Sequence, residues 1–90
     1  MNRAKLNVRM DLMRVAKTAL DADKPFEEQI ANTFIDKAKS ELENNLKDDY
    51  LLRDELVMYQ KQIPNISSDT VKRLHWGEKI LTIASRLGIL

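Results

Sequence analysis

The sequence contains no cysteine, a single histidine, and only two glycines and two prolines among 90 residues. The absence of cysteine excludes a disulfide framework and any thiolate metal site, and it is typical of a reducing compartment. So few chain breakers exclude a loop-rich or collagen-like protein. The longest apolar run is four residues, Leu56 to Tyr59, far shorter than a membrane span or the apolar part of a signal peptide. We therefore expect a cytoplasmic protein without a membrane partner.

Apolar and charged residues dominate the chain, at 43% and 32% of the residues. This balance provides enough apolar surface for a folded core, and 90 residues is the usual size of a single domain. A large substrate cleft is not expected at this size. The composition therefore predicts a globular, mainly helical domain.

The net charge of +1 conceals a strong segregation of charge along the chain. Residues 1–20 contain five bases and one acid, a balance of +4. Residues 21–56 contain eleven acids and five bases, or −6, and residues 57–90 contain five bases and two acids, or +3. Such a dipolar distribution favours an anionic partner at one end of the chain and repels it from the middle. The alternative is that these are ordinary solvated helix faces.

Two stretches in the middle of the chain have the apolar spacing of amphipathic helices. The first is predicted to start at Pro25, since proline is tolerated in the first turn of a helix, and to extend to about Lys47. The second covers about Asp49 to Ile63. Pro64 is expected to end it, because proline lacks the N–H that a continuing helix needs.

The last helix is predicted to start after a cap at Ser67 or Ser68, whose hydroxyl groups can accept hydrogen bonds from the free amides of the first turn. It carries an apolar stripe at spacings of four and three, formed by Trp76, Ile80 and Ile83. We interpret this stripe primarily as part of the hydrophobic core. The same three residues are candidates for a partner or oligomer interface.

The beginning of the chain has a different pattern, because apolar and polar residues alternate strictly from residue 3 to residue 12. A period of two is typical of a β-strand with one buried face. In a helix, Lys5 and Arg9 would lie in the middle of the apolar arc. We therefore predict a short strand over about residues 4–10 and a helix over about residues 11–22. Since the rest of the chain is helical, the strand is expected to pair with the same strand of a second molecule.

A strand, a helix and a longer helix over residues 4–45 resemble the ribbon-helix-helix family of bacterial and phage repressors, antitoxins and plasmid accessory proteins. The resemblance implies a homodimer whose two strands form an antiparallel ribbon in the major groove of double-stranded DNA. Outward side chains of the ribbon would read bases, and inward side chains would form the dimer core. The implied readers are Lys5, Asn7 and Arg9, and the implied core residues are Leu6, Val8 and Met10.

A second DNA-binding signal lies near the C-terminal helix, where residues 66–74 resemble the turn and recognition helix of helix-turn-helix proteins. This resemblance implies additional nucleic-acid contacts from Lys72 and Arg73. Strings of this kind are also common at ordinary capped helix starts.

Residues typical of catalysis or metal binding are few. His75 and Glu78 lie one helical turn apart, but two ligands without a cysteine or a second histidine make a poor metal site. The paired acids of the chain fall on polar helix faces, and no glycine-rich phosphate loop is present. We expect neither an enzyme nor a bound cofactor or metal.

These predictions divide the chain into a strand-helix-helix half, residues 1–48, and a C-terminal helical half, residues 49–90, packed as one unit. The indicated function is that of a DNA-binding regulator whose C-terminal half serves oligomerisation or the binding of a second protein. The alternative is an all-α four-helix bundle that binds another protein and not DNA. In that case residues 4–22 form one helix, and Arg9 reaches solvent through its long side chain.

Overall fold

The computed structural model describes residues 3–87, which form four α-helices. Helix α1 covers Arg3–Leu20, α2 covers Glu28–Asn45, α3 covers Tyr50–Ile66 and α4 covers Thr70–Leu87. A short 3-10 turn, Lys47–Asp49, joins α2 to α3. Residues 3–87 include no β-strand, so the described chain has the all-α architecture of the alternative prediction.

The predicted N-terminal strand is wrong, because residues 4–10 lie inside α1. Val8 begins the buried stripe of this helix and is fully inaccessible, whereas Leu6 and Met10 lie on the opposite side, about 160° away at 100° per residue. The alternation therefore mixes two faces of one helix. Arg9 lies at the edge of the buried stripe and is half-buried, so the helix places this residue beside the core and not in its middle.

The helices form a ring in which each runs antiparallel to the next. Helix α1 packs along α2 and α4, and α3 packs along the same two helices less extensively. Within residues 3–87, no close backbone approach joins α1 to α3 or α2 to α4. Helices α1 and α3 are therefore diagonal partners, and their outer faces point away from each other.

A single hydrophobic core joins all four helices, so the two predicted halves share one interior. Trp76, Ile80 and Ile83 are 2%, 0% and 2% exposed, which confirms their interpretation as core. The Trp76 indole meets the Phe26 ring edge-on at 5.7 Å and donates from Nε1 to the Tyr59 carbonyl oxygen at 3.0 Å. The polar atom of this side chain is thus satisfied within the core.

The beginning of α4 is fixed to the end of α1 by the buried side chain of Arg73, which is 6% exposed. Its Nε and Nη2 atoms donate hydrogen bonds at 2.5 to 3.1 Å to four backbone carbonyl oxygens. The acceptors belong to Thr18, Ala19, Asp21 and Lys24. Because the last carbonyls of a helix lack intrahelical donors and form its negative end, a guanidinium is well suited to satisfy them.

Gly77 allows α1 and α4 to approach closely next to this contact. A Cβ atom placed on Gly77 would lie 2.9 Å from the Cβ of Ala19 and 2.9 Å from the Cγ of Leu20. Both distances are shorter than van der Waals contact. The absence of a side chain at position 77 is therefore a packing requirement of this helix pair.

Two predicted helix boundaries need correction at the α3–α4 connection. Helix α3 continues past Pro64 to Ile66, because burial of Ile63 and Ile66 holds its last turn against the core. The cap of α4 is Asp69, whose carboxylate accepts the backbone N–H of Lys72 at 3.1 Å. Neither Ser67 nor Ser68 has this role.

Helix α2 starts at Glu28 and not at Pro25. Glu27 has a non-helical backbone, and its N–H donates to the Thr18 hydroxyl at 3.2 Å. Phe26, which precedes Glu27 in the loop between α1 and α2, is buried, at 9% exposure. The connection from α1 is therefore an ordered loop that packs on the core.

Polar side chains connect α2 to α3. Gln60 donates from Nε2 to Asn32 Oδ1 at 3.0 Å and to Asp36 Oδ1 at 2.9 Å, and its Oε1 accepts from Lys39 Nζ at 2.6 Å. The contact is partly buried. It supplies directional bonds where the apolar packing of α3 is thin.

Candidate functional site

The three predicted base readers do not share a face on α1. Lys5 and Arg9 are one helical turn apart, while Asn7 points about 160° away from both of them. Asn7 donates from Nδ2 to Glu41 Oε1 at 3.3 Å, and the Nε of Arg9 is buried without a hydrogen-bond partner among residues 3–87. The structure therefore does not bring this set together as one reading surface.

The other predicted contact residues lie mostly inside the bundle. Lys72 is exposed, but the guanidinium of Arg73 is enclosed by its four carbonyl acceptors and is not available to a phosphate. Trp76, Ile80 and Ile83, which were candidates for an interface, are covered within a single chain.

The outer side of α1 carries a second apolar stripe, formed by Leu6, Met10 and Met13 at spacings of four and three. Met10 is 44% exposed, Met13 is 39% exposed and Leu6 is half-buried. The α1 face, as we call it, consists of this stripe and of the exposed basic residues on the same arc of about 100°. These bases are Arg3, Arg14 and Lys17. The arc contains no acidic residue.

Asp11 lies at the border between the α1 face and α2. Its carboxylate is 3.4 Å from Arg14 Nη1. Burial raises the pKa of Asp11 above its usual value, Arg14 and Lys37 act in the opposite direction, and Glu41 adds to the rise. Asp11 is therefore partly withdrawn from solvent and paired with a base of the α1 face.

Phe34 of α2 lies between two cations at the edge of the α1 face. The guanidinium carbon of Arg14 is 5.1 Å from the ring centroid, and Lys37 Nζ is 5.0 Å from it. Both distances are within the range of cation–π attraction. The contact holds Arg14 beside the Phe34 ring, at the edge of a small pocket.

A small pocket opens where the α1 face meets the loop to α2. Its apolar wall consists of Pro25, Ile30 and Phe34, and Arg14 and Lys17 stand at its rim. Its volume is about 240 Å³. Small-molecule sites usually measure about 300 to 1,000 Å³, so this pocket is sized for one apolar side chain of a partner. The lining also includes Lys24 and two acids, Asp21 and Glu27, so three bases and two acids surround the apolar wall.

Two larger depressions, each of about 460 to 470 Å³, lie elsewhere. The α1–α2 groove is polar and contains Asp11 and Glu41. The α3–α4 groove lies above Trp76 and carries Lys72, Lys79 and other polar groups. Residues 3–87 contain no group of three side chains arranged to hold a metal ion. None of the helices in that range has both the length and the apolar character that crossing a bilayer requires.

The prediction from the sequence missed Met13, Arg14, Lys17 and the apolar wall of the pocket. A signal for the α1 face was present, because Leu6, Met10 and Met13 recur at helical spacing. The alternation obscured it by assigning Leu6 and Met10 to the same face as Val8. The pocket had no local signal, because the loop and α2 supply its wall.

Comparisons with protein-family models, curated proteins and solved structures give no match. The antiparallel four-helix bundle is thus the class that the structure defines.

Proposed function

We propose that the protein is a non-enzymatic, all-helical interaction module that binds another protein through the α1 face. The partner surface carries carboxylates around exposed apolar side chains. The observation that supports this proposal is an exposed Leu6, Met10 and Met13 stripe accompanied only by basic residues. A partner helix with anchors at spacings of four and three would match it.

The chemistry of the stripe is suited to protein recognition. Methionine side chains are flexible and polarisable, so they adapt to irregular apolar partners. An exposed apolar row with a charged rim is typical of an interaction site, because it costs solubility unless it is covered in the complex. With three stripe residues and one anchor pocket, the expected dissociation constant is on the order of micromolar.

Binding of DNA by this chain remains a prediction. The helical α1 separates Asn7 from Lys5 and Arg9, and Met10 lies between the bases of its basic arc with Leu6 and Met13 at one edge. Phosphate recognition favours polar side chains and backbone amides around the cations. The surface of α1 therefore supports a protein partner over a nucleic acid.

The proposal is tested with a defined probe, a helical peptide of about 18 residues with leucine at spacings of four and three and glutamate on both sides of this stripe. Chemical-shift mapping on the labelled protein should place the peptide on α1 and on the pocket residues Ile30 and Phe34. The variant Met10→Gln/Met13→Gln should weaken binding at least about tenfold, since two anchors are lost.

Two controls define the outcome. Thr82→Gln/Ser85→Gln changes two exposed positions three residues apart on α4 and should leave binding unchanged. The same peptide with lysine in place of glutamate should bind much more weakly. Equal binding of both peptides, or no effect of the α1 variant, would contradict the proposal. Tight binding of duplex DNA that the α1 variant abolishes would replace it with the DNA-binding function.

A further inference from the structure

The outer side of α3 carries exposed apolar residues among acids. Leu51, Tyr50 and Met58 are 66%, 59% and 48% exposed, and Asp54 is exposed beside them. We call these four residues the α3 face. The acids of α3, Asp54 and Glu55, both lie between Leu51 and Met58, and Asp48 and Asp49 precede the helix. This face has the chemistry that the α1 face requires of its partner.

We infer that the α1 face binds the α3 face of a second copy of the chain. The inference rests on the proposed function and names the partner. Arg3, Arg14 and Lys17 accompany the exposed methionines on α1. On α3, Asp54 and Glu55 lie between Leu51 and Met58, and one exposed base, Lys61, follows one turn after Met58. Opposite charges around apolar centres favour this pairing and disfavour the pairing of either face with itself.

The spacing of the two faces also agrees. If Leu51 of one copy enters the pocket at the end of α1 in the other, an antiparallel α3 places Met58 seven residues further on, about 10 Å away. The same distance along α1 from Lys17, at the rim of the pocket, leads back to Met10. Asp54 would then lie near the level of Arg14. The apolar contacts and one charge pair are thus formed in a single register.

The charges on both faces already have weak partners within the chain. Arg14 Nη1 is 3.4 Å from Asp11 Oδ1, and Asp54 Oδ1 is 3.1 Å from Arg53 Nη2. The Arg53–Asp54 pair is 42% and 59% exposed, so exchanging or sharing it costs little free energy. In the other pair Arg14 is 52% exposed, whereas Asp11 is only 14% exposed. Both pairs hold the basic and acidic groups in place beside the apolar residues without blocking them.

The positions of the two faces determine the form of the assembly. Helices α1 and α3 are diagonal partners in the ring, so a copy bound through one face keeps the other exposed. A head-to-tail contact between different surfaces does not close by itself after two copies. The expected product is a chain of copies that lengthens with protein concentration.

Sedimentation velocity of the full chain over a concentration series tests this inference with two variants. Met10→Gln/Met13→Gln removes the centre of the α1 face, and Leu51→Gln/Met58→Gln removes the centre of the α3 face. Wild-type protein should pass beyond the dimer as concentration rises, and each variant alone should remain monomeric. An equimolar mixture of the two variants should form a 1:1 dimer and nothing larger, because each supplies one intact face.

Thr82→Gln/Ser85→Gln is the matched control and should assemble like the wild type. A wild-type protein that is monomeric at millimolar concentration, while it still binds the acidic peptide through α1, would overturn this inference and leave the proposed function intact. A closed dimer that the Leu51→Gln/Met58→Gln variant still forms would also overturn it. Failure of the acidic peptide to bind α1 would instead remove the proposed function itself.

Discussion

Replacing Arg73 with methionine tests the contact that joins the first and last helices. Methionine keeps much of the unbranched stem and can remain in the apolar environment next to Phe26, but it donates no hydrogen bond. Four carbonyl acceptors would lose their donor. Water can reach the three on Thr18, Asp21 and Lys24, which are not fully buried, but the Ala19 carbonyl belongs to a residue with 0% exposure.

The expected loss of stability follows from these differences. An unsatisfied buried carbonyl costs about 1 to 3 kcal/mol. Removal of a partly buried cation from the end of a helix costs a further 1 to 2 kcal/mol, roughly. We therefore expect Arg73→Met to lower the free energy of unfolding by about 3 kcal/mol. For a domain of this size this corresponds to a fall in Tm of roughly 12 to 24 °C.

Urea and thermal unfolding followed by circular dichroism provide the measurement. Lys72→Met is the matched control, because Lys72 is the neighbouring base and is exposed, and it should change stability by less than about 0.5 kcal/mol. Arg73→Lys retains the charge but not the planar fork of donors, so its stability should fall between wild type and Arg73→Met. If Arg73→Met were as stable as Lys72→Met, the guanidinium would not be a structural link.

Three further changes test the packing and the electrostatics. Gly77→Ala should lower stability by about 1 to 2 kcal/mol in thermal unfolding, because its Cβ meets that of Ala19 at 2.9 Å; a stabilised variant would contradict the close approach. Trp76→Phe should cost about 1 to 2 kcal/mol in urea unfolding, through lost volume and the lost bond to the Tyr59 carbonyl, and a neutral effect would refute that role. Burial raises the pKa of Asp11, so its contribution to stability is largest at acidic pH and is lost as pH rises through that pKa. Asp11→Asn should therefore gain stability over the wild type at neutral pH, and this gain should disappear below about pH 4; a gain that is constant with pH would contradict the assignment.

The sequence was sufficient for the helices after residue 24 and for much of the core. Their apolar residues recur on a single stripe, so the period alone identifies both the helix and its buried side. Trp76, Ile80 and Ile83 are examples, and each is buried as predicted. Helix ends were predicted less reliably from local residues such as proline. At the end of α3, the burial of Ile63 and Ile66 outweighs the break expected at Pro64.

The first helix could not be predicted in the same way, because it carries apolar residues on two sides. Val8 faces the core, Leu6 and Met10 face outward, and their sequence order imitates a strand. Only the packing of α1 between α2 and α4 determines which stripe is covered. The role of Arg73 was similarly invisible, since the nearest of its acceptors along the chain is Lys24.

The pairing of α1 with α4 has a consequence for the synthesis of the chain. Helix α1 finds its most extensive packing partner in α4, which follows α2 and α3 along the chain, and Arg73 reaches the end of α1 only when α4 has been made. Until then, α1 presents Val8 and Leu12 on one side and Met10 and Met13 on the other, so it is apolar on two sides. Completion of this fold thus requires the synthesis of α4, and a nascent chain that ends before Thr70 is a natural client for a chaperone.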